Sequence, residues 1–257
     1  MQDLVVMGTG QMGRWFGEAA LRAGRRIVPV RRGDVARDRI ERTGPGTPIV
    51  VSVPEGALAD TVARIPVARV ADAVLVQNGM FASDLAELGL DDATVLAVWT
   101  LRKAGQPYIV AQRTGAYGPH AAAIAEILGA HDVDVAVLAS KAERDRELVA
   151  KYGFILAVNA LGFAQNRTVG AWLEADPDVT WRALDDGLAI AATYADGVDP
   201  ADAVEVARAG LRGFAAMQAA GRSAPARVER AVARADAHGL DVPTVRALSE
   251  QGLAARG

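Results

Sequence analysis

A glycine-rich turn near the start of the chain constrains the fold more than any other feature. The sequence GTGQMG over residues 8–13 fits the pattern G-x-G-x-x-G. It follows an apolar run over 2–7, which predicts a buried strand, and it opens a helical pattern over 11–23. A second short apolar run, 27–30, comes next. This order predicts a βαβ unit with the glycines at its strand-to-helix turn.

In this context the glycines predict a dinucleotide site. Gly8 permits a tight turn, Gly10 lets a pyrophosphate approach the backbone, and Gly13 lets the helix lie close to the sheet. The N–H groups at the helix N-terminus attract the anion. The predicted cofactor contacts in the motif are Gly8, Gly10, Gln11, Met12 and Gly13. A glycine-rich turn that binds no ligand is the alternative.

The end of the second apolar run bears on which dinucleotide is bound. In NAD sites an acid about 20 residues after the loop accepts hydrogen bonds from the ribose 2′-hydroxyl. This chain has Arg31 and Arg32 there. A guanidinium group binds a 2′-phosphate in a bidentate way, so NADP(H) is predicted over NAD(H). Two alternatives stay open: both arginines are solvated loop residues, or Asp34 reaches the ribose.

The rest of the first half continues the alternation of strands and helices. Further strands are predicted over 48–53, 72–77, 94–99 and 133–138. Helical segments between short strands predict a parallel sheet covered on both faces. A hairpin is predicted over 106–118, with its turn at Arg113-Thr114-Gly115.

The pattern changes near Ser140. The remaining segments are helical in pattern, and Pro and Gly residues separate them: 142–164, 178–196, 200–220, 223–238 and 243–254. We therefore predict an α/β fold with two domains. A Rossmann-type parallel-sheet domain covers 1–139, and an all-α domain covers 140–257.

Composition excludes several classes of protein. The net charge of −3 gives no reason to expect a nucleic-acid partner, and no run approaches the ~20 apolar residues of a membrane span. The absence of cysteine removes disulfides and thiolate chemistry. The three histidines, at 120, 131 and 238, lie far apart in sequence, so no metal site is predicted. The expected location is cytoplasmic.

Three later segments, together with the opening one, carry a resemblance to a known family. They are VLVQNGM (74–80), KYGFILAVNALGF (151–163) and ARADAHGLDVP (233–243). In order and rough spacing the chain resembles the ketopantoate reductase (2-dehydropantoate 2-reductase) family, as a short and divergent member. The resemblance implies a Rossmann domain followed by a helical domain, with the site in the cleft between them. It also implies NADPH-dependent reduction of a 2-oxo acid to a 2-hydroxy acid.

Lysine is scarce in this chain, which points to a chemical role for one of its three lysines. Only Lys103, Lys141 and Lys151 occur, and Lys151 stands inside an apolar helical pattern. Unlike arginine, lysine gives up its proton once burial lowers its pKa. Asn159 follows eight residues later, on the same helix face. By resemblance Lys151 protonates the alkoxide and Asn159 orients the substrate; the alternative is a surface lysine and a satisfied buried amide.

Two other positions bear on the substrate. Asn78 follows the fourth strand, where open α/β sheets bind ligands, although Asn-Gly is also a common turn dipeptide. By resemblance Asn78 lies near the nicotinamide ribose and the substrate. The family's glutamate in the helix before the His-Gly segment corresponds here to Ser223, with Glu229 about two turns on. Many members also have a lysine after the third strand, where this chain has Val53-Pro54-Glu55.

These departures leave three functions open. The first is NADPH-dependent reduction of a small 2-oxo acid, with Ser223 as a substrate contact. The second is the same scaffold acting on another carbonyl compound or an imine. The third is a non-catalytic NADP-binding protein. The apolar helix faces after residue 178 can pack within the domain or against a second copy, so a homodimer is also open.

Overall fold

The chain divides into two compact units. The computed structural model describes residues 3–101, 108–219, 221 and 223–256. The first unit is Met1–Arg144 and the second is Asp145–Gly257. The division falls a few residues after position 139, inside the first turns of a long helix.

The first unit contains a seven-stranded sheet. Its strands are β1 (Asp3–Met7), β2 (Arg26–Val30), β3 (Ile49–Val51), β4 (Ala73–Leu75), β5 (Thr94–Ala97), β8 (Thr114–Tyr117) and β9 (Val135–Val137), and two short strands, β6 (Thr100–Leu101) and β7 (Ile109–Val110), pair separately. The order across the main sheet is β2-β1-β3-β4-β5-β8-β9. Neighbours from β2 to β5 are parallel, as predicted. The chain crosses from β2 past β1 to β3, which makes β1 and β3 the switch point of the sheet.

The predicted hairpin over 106–118 is wrong. Thr114 and Gly115, which were assigned to its turn, lie within β8. This strand pairs antiparallel with β5 and parallel with β9, whereas β7 pairs with β6. Residues 106 and 107 lie outside the described residues. The two β-rich runs do exist, but strand propensity does not identify the partner of a strand.

Within the described residues of this unit, five α-helices accompany the sheet: α1 (Gln11–Arg22), α2 (Ala36–Glu41), α3 (Leu58–Val62), α4 (Ala82–Glu87) and α5 (Ala121–Gly129). Helix α1 buries Trp15, Phe16, Ala19 and Ala20, and Gly24 follows its end at φ +69°. Those side chains join Leu4 and Val6 of β1 in the core of the unit. This packing fixes the start of α1 directly after the glycine turn.

The second unit is helical over its described residues. Its helices are α6 (Lys141–Ala164, which begins in the first unit), α7 (Val169–Ala175), α8 (Pro177–Ala192), α9 (Pro200–Gly213), α10 (Ala224–Ala237) and α11 (Pro243–Ala254). Proline occupies the first turn of each of the last four, where its missing N–H costs nothing. The sequence pattern did not predict α7. Helices α8 and α9 end before the predicted limits at 196 and 220.

Helix α6 is the core helix of the second unit. By length and composition it is the one helix in the described part of the chain that could cross a membrane, yet 89% of its apolar window is buried inside the fold. Its backbone closely approaches that of α8. A Cβ at Gly187 would lie 2.6 Å from the carbonyl oxygen of Gly153, so only glycine allows this contact.

Candidate functional site

A cavity of about 630 Å³ lies at the carboxyl ends of β1, β2 and β3. This edge of the sheet, at the switch point, is where open α/β sheets bind ligands. The segments after all three strands line it, together with the helix that follows β3. The lining residues are Met7, Gly8, Thr9, Gly10, Val30, Arg31, Arg32, Ser52, Val53, Pro54, Ala57, Asp60, Thr61 and Arg64.

The three positions of the turn require glycine for different structural reasons. Gly8 has φ +92°, and a Cβ there would lie 2.3 Å from the carbonyl oxygen of Ser52. A Cβ on Gly13 would lie 1.9 Å from the carbonyl oxygen of Gly8. In contrast, a Cβ on Gly10 would meet nothing within 4 Å. Packing therefore explains the first and third glycines, whereas the second leaves open space beside the start of α1, as a bound pyrophosphate requires. Gln11 and Met12 form the first turn of that helix.

The two arginines after β2 line the same cavity. Arg31 and Arg32 are both exposed. Within the described residues neither guanidinium group makes a hydrogen bond or ion pair with a protein group, so both are available to an anion.

Asp34 is engaged within its own turn. Its carboxylate accepts a hydrogen bond from the backbone N–H of Arg31 at 2.8 Å. Its other oxygen lies 3.8 Å from the guanidinium group of Arg39. Asp34 is not a lining residue of the cavity. This geometry disfavours the alternative in which Asp34 holds a ribose.

Sequence reasoning missed the contribution of the segment after β3. Asp60 and Thr61 of α3, and Arg64 just beyond it, all line the cavity. Arg64 donates hydrogen bonds to the backbone carbonyls of Arg31 and Asp34, at 3.2 and 2.8 Å. The available signal was the i, i+4 spacing of Asp60 and Arg64, which would place both on one face if the helical pattern continued past Val62. Nothing in the sequence shows that this face meets the turn after β2.

Asn78 lies just after β4, and Gly79 follows it with φ +73°. The side chain of Asn78 is half-buried and makes no hydrogen bond to other described residues. The neighbouring Gln77 is buried and donates to the carbonyls of Val51 and Val53, which ties the end of β4 to the end of β3. The amide of Asn78 is therefore available to a ligand.

In the second unit, Lys151 is buried in the third turn of α6 and is only 9% exposed. Burial lowers the pKa of Lys151 from its ordinary value to about 7. Its Nζ atom lies 5.3 and 5.4 Å from the ring centroids of Phe154 and Phe214. The cause of the shift is desolvation, because burial removes the ammonium group from water.

Two more predicted residues lie in the second unit. Asn159 is buried two turns after Lys151 on α6, and its side-chain N–H donates to the backbone carbonyl of Ile155. Ser223 is exposed just before α10, and its hydroxyl caps no backbone N–H of that helix. Glu229 is also exposed. The side chains of Ser223 and Glu229 are therefore not part of the protein core.

No family model and no curated protein matches the sequence. Comparison of structures gives a clear result. A ketopantoate reductase from Ralstonia eutropha JMP134 superposes with a TM-score of 0.68 at 20% identity, over 98% of both chains. The chain has the fold of the ketopantoate reductases. The resemblance predicted from four short segments is thus confirmed at the level of the fold.

Other solved structures also match over nearly the whole chain. D-mandelate dehydrogenase in complex with NADH has a TM-score of 0.65 at 11% identity, over 99% of this chain and 98% of that one. The dimeric ketopantoate reductase from Staphylococcus aureus has a TM-score of 0.65 at 14% identity, over 98% of both chains. At such identities the likeness concerns architecture, and the chemistry must be argued from the residues of this chain.

Proposed function

We propose that this chain is an NADP-dependent reductase that converts a small 2-oxo acid into the 2-hydroxy acid. The observation that carries the proposal is the buried Lys151, whose pKa is lowered to about 7. A desolvated lysine costs folding free energy, and a general acid works best with a pKa near the working pH. A protein that only bound a nucleotide would not need such a group.

The cavity of the first unit fits NADP(H). The glycine turn and the start of α1 would hold the pyrophosphate, with open space at Gly10. Arg31 and Arg32 would bind the 2′-phosphate of the adenosine ribose, since their guanidinium groups border the cavity and have no partner among the residues that the structure describes. Asn78, at the carboxyl end of β4, would contact the nicotinamide ribose and the substrate.

When bound, NADPH supplies the hydride that adds to the carbonyl carbon. The protein provides the proton and the orientation. Lys151 in its ammonium form donates a proton from Nζ to the carbonyl oxygen as that oxygen becomes an alkoxide, and it is left as the neutral amine. Asn159 and Asn78 orient the substrate through their amides, and the Ser223 hydroxyl is a further substrate contact.

The comparisons support the class of reaction more than the substrate. Structural neighbours are named as ketopantoate reductases and as a D-mandelate dehydrogenase. Ketopantoate is a 2-oxo acid and mandelate is a 2-hydroxy acid, so both names refer to the same class of reaction. We leave ketopantoate unassigned because Ser223 stands where the family has a glutamate. The dimeric Staphylococcus aureus neighbour supports a homodimer. The location that we propose for the enzyme is the cytoplasm.

The test is NADPH oxidation with a panel of 2-oxo acids that differ in the size and polarity of their side chains. Wild type should turn over at least one of them. Lys151→Ala should lower kcat by about 10² to 10⁴-fold, as expected for loss of a general acid. The matched control is Lys141→Ala, because Lys141 lies on the same helix but is exposed.

The outcomes separate the alternatives. Tight binding of NADPH without turnover of any carbonyl compound or imine would show a nucleotide-binding protein that lacks catalysis. Turnover of an imine, or of a carbonyl compound that is not a 2-oxo acid, would keep the scaffold and change the substrate. Full activity of Lys151→Ala would remove the proposed proton donor.

A further inference from the structure

We propose that Arg64 is a positioning residue for cofactor selection, which clamps the turn over residues 31–34 and so holds Arg31 and Arg32 against the 2′-phosphate of NADPH. The inference rests on the proposed binding of NADPH in the cavity of the first unit. It adds a residue from a separate segment of the chain, beyond the fingerprint that begins at the glycine turn.

The first step in the argument is the set of contacts that Arg64 makes. Its Nη2 donates to the backbone carbonyl of Asp34 at 2.8 Å and to that of Arg31 at 3.2 Å. These carbonyls belong to the first and last residues of the turn. One guanidinium group therefore bridges both ends of the turn and ties it to the segment after α3.

The second step is that the turn is otherwise held mostly by its own atoms. The N–H of Asp34 donates to the carbonyl of Arg31 at 3.1 Å, and the Asp34 carboxylate accepts from the N–H of Arg31. Arg31 and Arg32 are exposed, and their guanidinium groups have no protein partners among the described residues. If the turn were free to move, binding a phosphate would also have to order it, and affinity would fall accordingly.

The third step concerns charge. Arg31, Arg32 and Arg64 line the cavity, and Asp60 opposes them. The cationic side chains outnumber this acid, while a phosphate monoester carries about −1.5 to −2 charges near neutral pH. NADH lacks this phosphate. The loss of Arg64 should therefore act on NADP ligands and leave NAD ligands nearly unchanged.

The experiment measures nucleotide binding by the full chain, independently of turnover. Isothermal titration calorimetry compares 2′,5′-ADP, which carries the 2′-phosphate, with 5′-AMP, which lacks it. We expect Arg64→Met to weaken 2′,5′-ADP binding by about tenfold and 5′-AMP binding by less than about twofold, given the strength of charged hydrogen bonds. Arg64→Lys should be intermediate, since lysine keeps the charge but lacks the fork.

The control is Arg37→Ala, which removes an exposed arginine of the neighbouring α2 that pairs with Glu41 and does not line the cavity. It should change neither affinity. Retained binding of 5′-AMP by Arg64→Met shows that the cavity is folded. Equal weakening of both ligands, or no weakening of 2′,5′-ADP, would overturn the inference.

Two results separate this inference from the proposed function. If wild type binds 2′,5′-ADP no better than 5′-AMP, the NADP assignment fails and the inference fails with it. If the nucleotide results are as expected but no 2-oxo acid is reduced, the role of Arg64 stands and the proposed catalysis is wrong.

Discussion

Lys151 stands in an environment that opposes its charge. The side chain is 9% exposed, and the rings of Phe154 and Phe214 lie beside its Nζ atom. Desolvation in these surroundings lowers the pKa of Lys151 to about 7. A residue in this state gains and loses a proton readily at neutral pH, which suits the proton donor that we propose.

This pKa gives the first prediction, on the pH dependence of turnover. Reduction needs the ammonium form, so kcat/KM for the 2-oxo acid should fall about tenfold per pH unit above about 7, because that profile reports the free enzyme. Oxidation of the 2-hydroxy acid needs the neutral amine, so its kcat/KM should rise about tenfold per pH unit below about 7 and level off above it. The measurement is initial rates in both directions from pH 5 to 9.

Two variants check that the profile belongs to this residue. Lys151→Ala should lose the titration near pH 7 in both directions, while Lys141→Ala should keep the wild-type profile. A profile that stays the same without Lys151 would assign the titration to another group.

At the scale of elements, the N-terminus of α11 lacks a cap from its own sequence. Val242 precedes the helix and cannot accept a hydrogen bond with its side chain. Asp186 of α8 supplies the missing acceptor, because its carboxylate accepts the N–H groups of Thr244 and Val245 at 2.8 and 2.9 Å. These are donors that a helix N-terminus leaves without partners. One carboxylate thus joins two helices of the second unit.

The second prediction concerns this cap. Asp186→Ala should lower the free energy of unfolding by about 1–2 kcal/mol, because two partly buried N–H groups lose their acceptor. Asp186→Asn should stay within about 0.5 kcal/mol of wild type at pH 7, since the amide oxygen still accepts and no charge is buried. Urea unfolding measures both. A loss with asparagine as large as with alanine would show that the negative charge, and not the acceptor, stabilises α11.

The same residue has a defined pH dependence. Burial raises the pKa of Asp186, and the hydrogen bonds from Val245 and Thr244 only partly oppose this. The folded state therefore binds more protons than the unfolded state between the ordinary pKa and the raised one, so this group stabilises less as pH rises through that window. Asp186→Asn should gain stability relative to wild type over that range. A constant difference from pH 3 to 7 would contradict the raised pKa.

Elements with strong local patterns were predictable from the sequence. Helix α1 has its apolar face, its glycine turn and its terminating Gly24 all within one short stretch, so its position follows from local rules. The hairpin failed for the opposite reason. The run around Thr114 is correctly β-rich, but its partner β5 lies about 20 residues away in sequence, and pairing over such distances is decided by the whole sheet.

The candidate site also contains residues that the sequence could predict and residues that it could not. Arg31 and Arg32 were predictable because they follow β2 directly at a fixed distance from the glycine turn. Arg64 was not, since its partners are backbone carbonyls about 30 residues earlier, and any residue type presents a carbonyl. The sequence also does not show that the Asp34 carboxylate accepts from the backbone N–H of Arg31 and not from a ribose. That choice is visible only in the folded turn.

At the scale of the whole molecule, the chemistry is distributed over two compact units. The glycine turn, the arginines and Asn78 belong to the first, and Lys151, Asn159 and Ser223 belong to the second. The proposed nucleotide contacts and the proposed proton donor thus belong to separate sets of residues. Substitutions in the first set should change cofactor preference without moving the titration near pH 7.

The last prediction links the cofactor to the stability of the whole chain. A ligand that binds only the folded state at 100 times its Kd adds about 2.7 kcal/mol to the free energy of unfolding. We take the 2′-phosphate contacts to make the Kd of NADPH about 100-fold lower than that of NADH. The same concentration of NADH then equals the Kd of NADH, and the free energy of unfolding rises by only about 0.4 kcal/mol. Urea unfolding with each nucleotide measures this difference.

Two variants test the cause of the difference. Arg31→Ala should remove most of the extra stabilisation by NADPH, because it weakens NADPH binding, whereas Arg37→Ala should preserve that stabilisation. Equal stabilisation of wild type by NADPH and NADH would mean that the arginines after β2 do not select the cofactor.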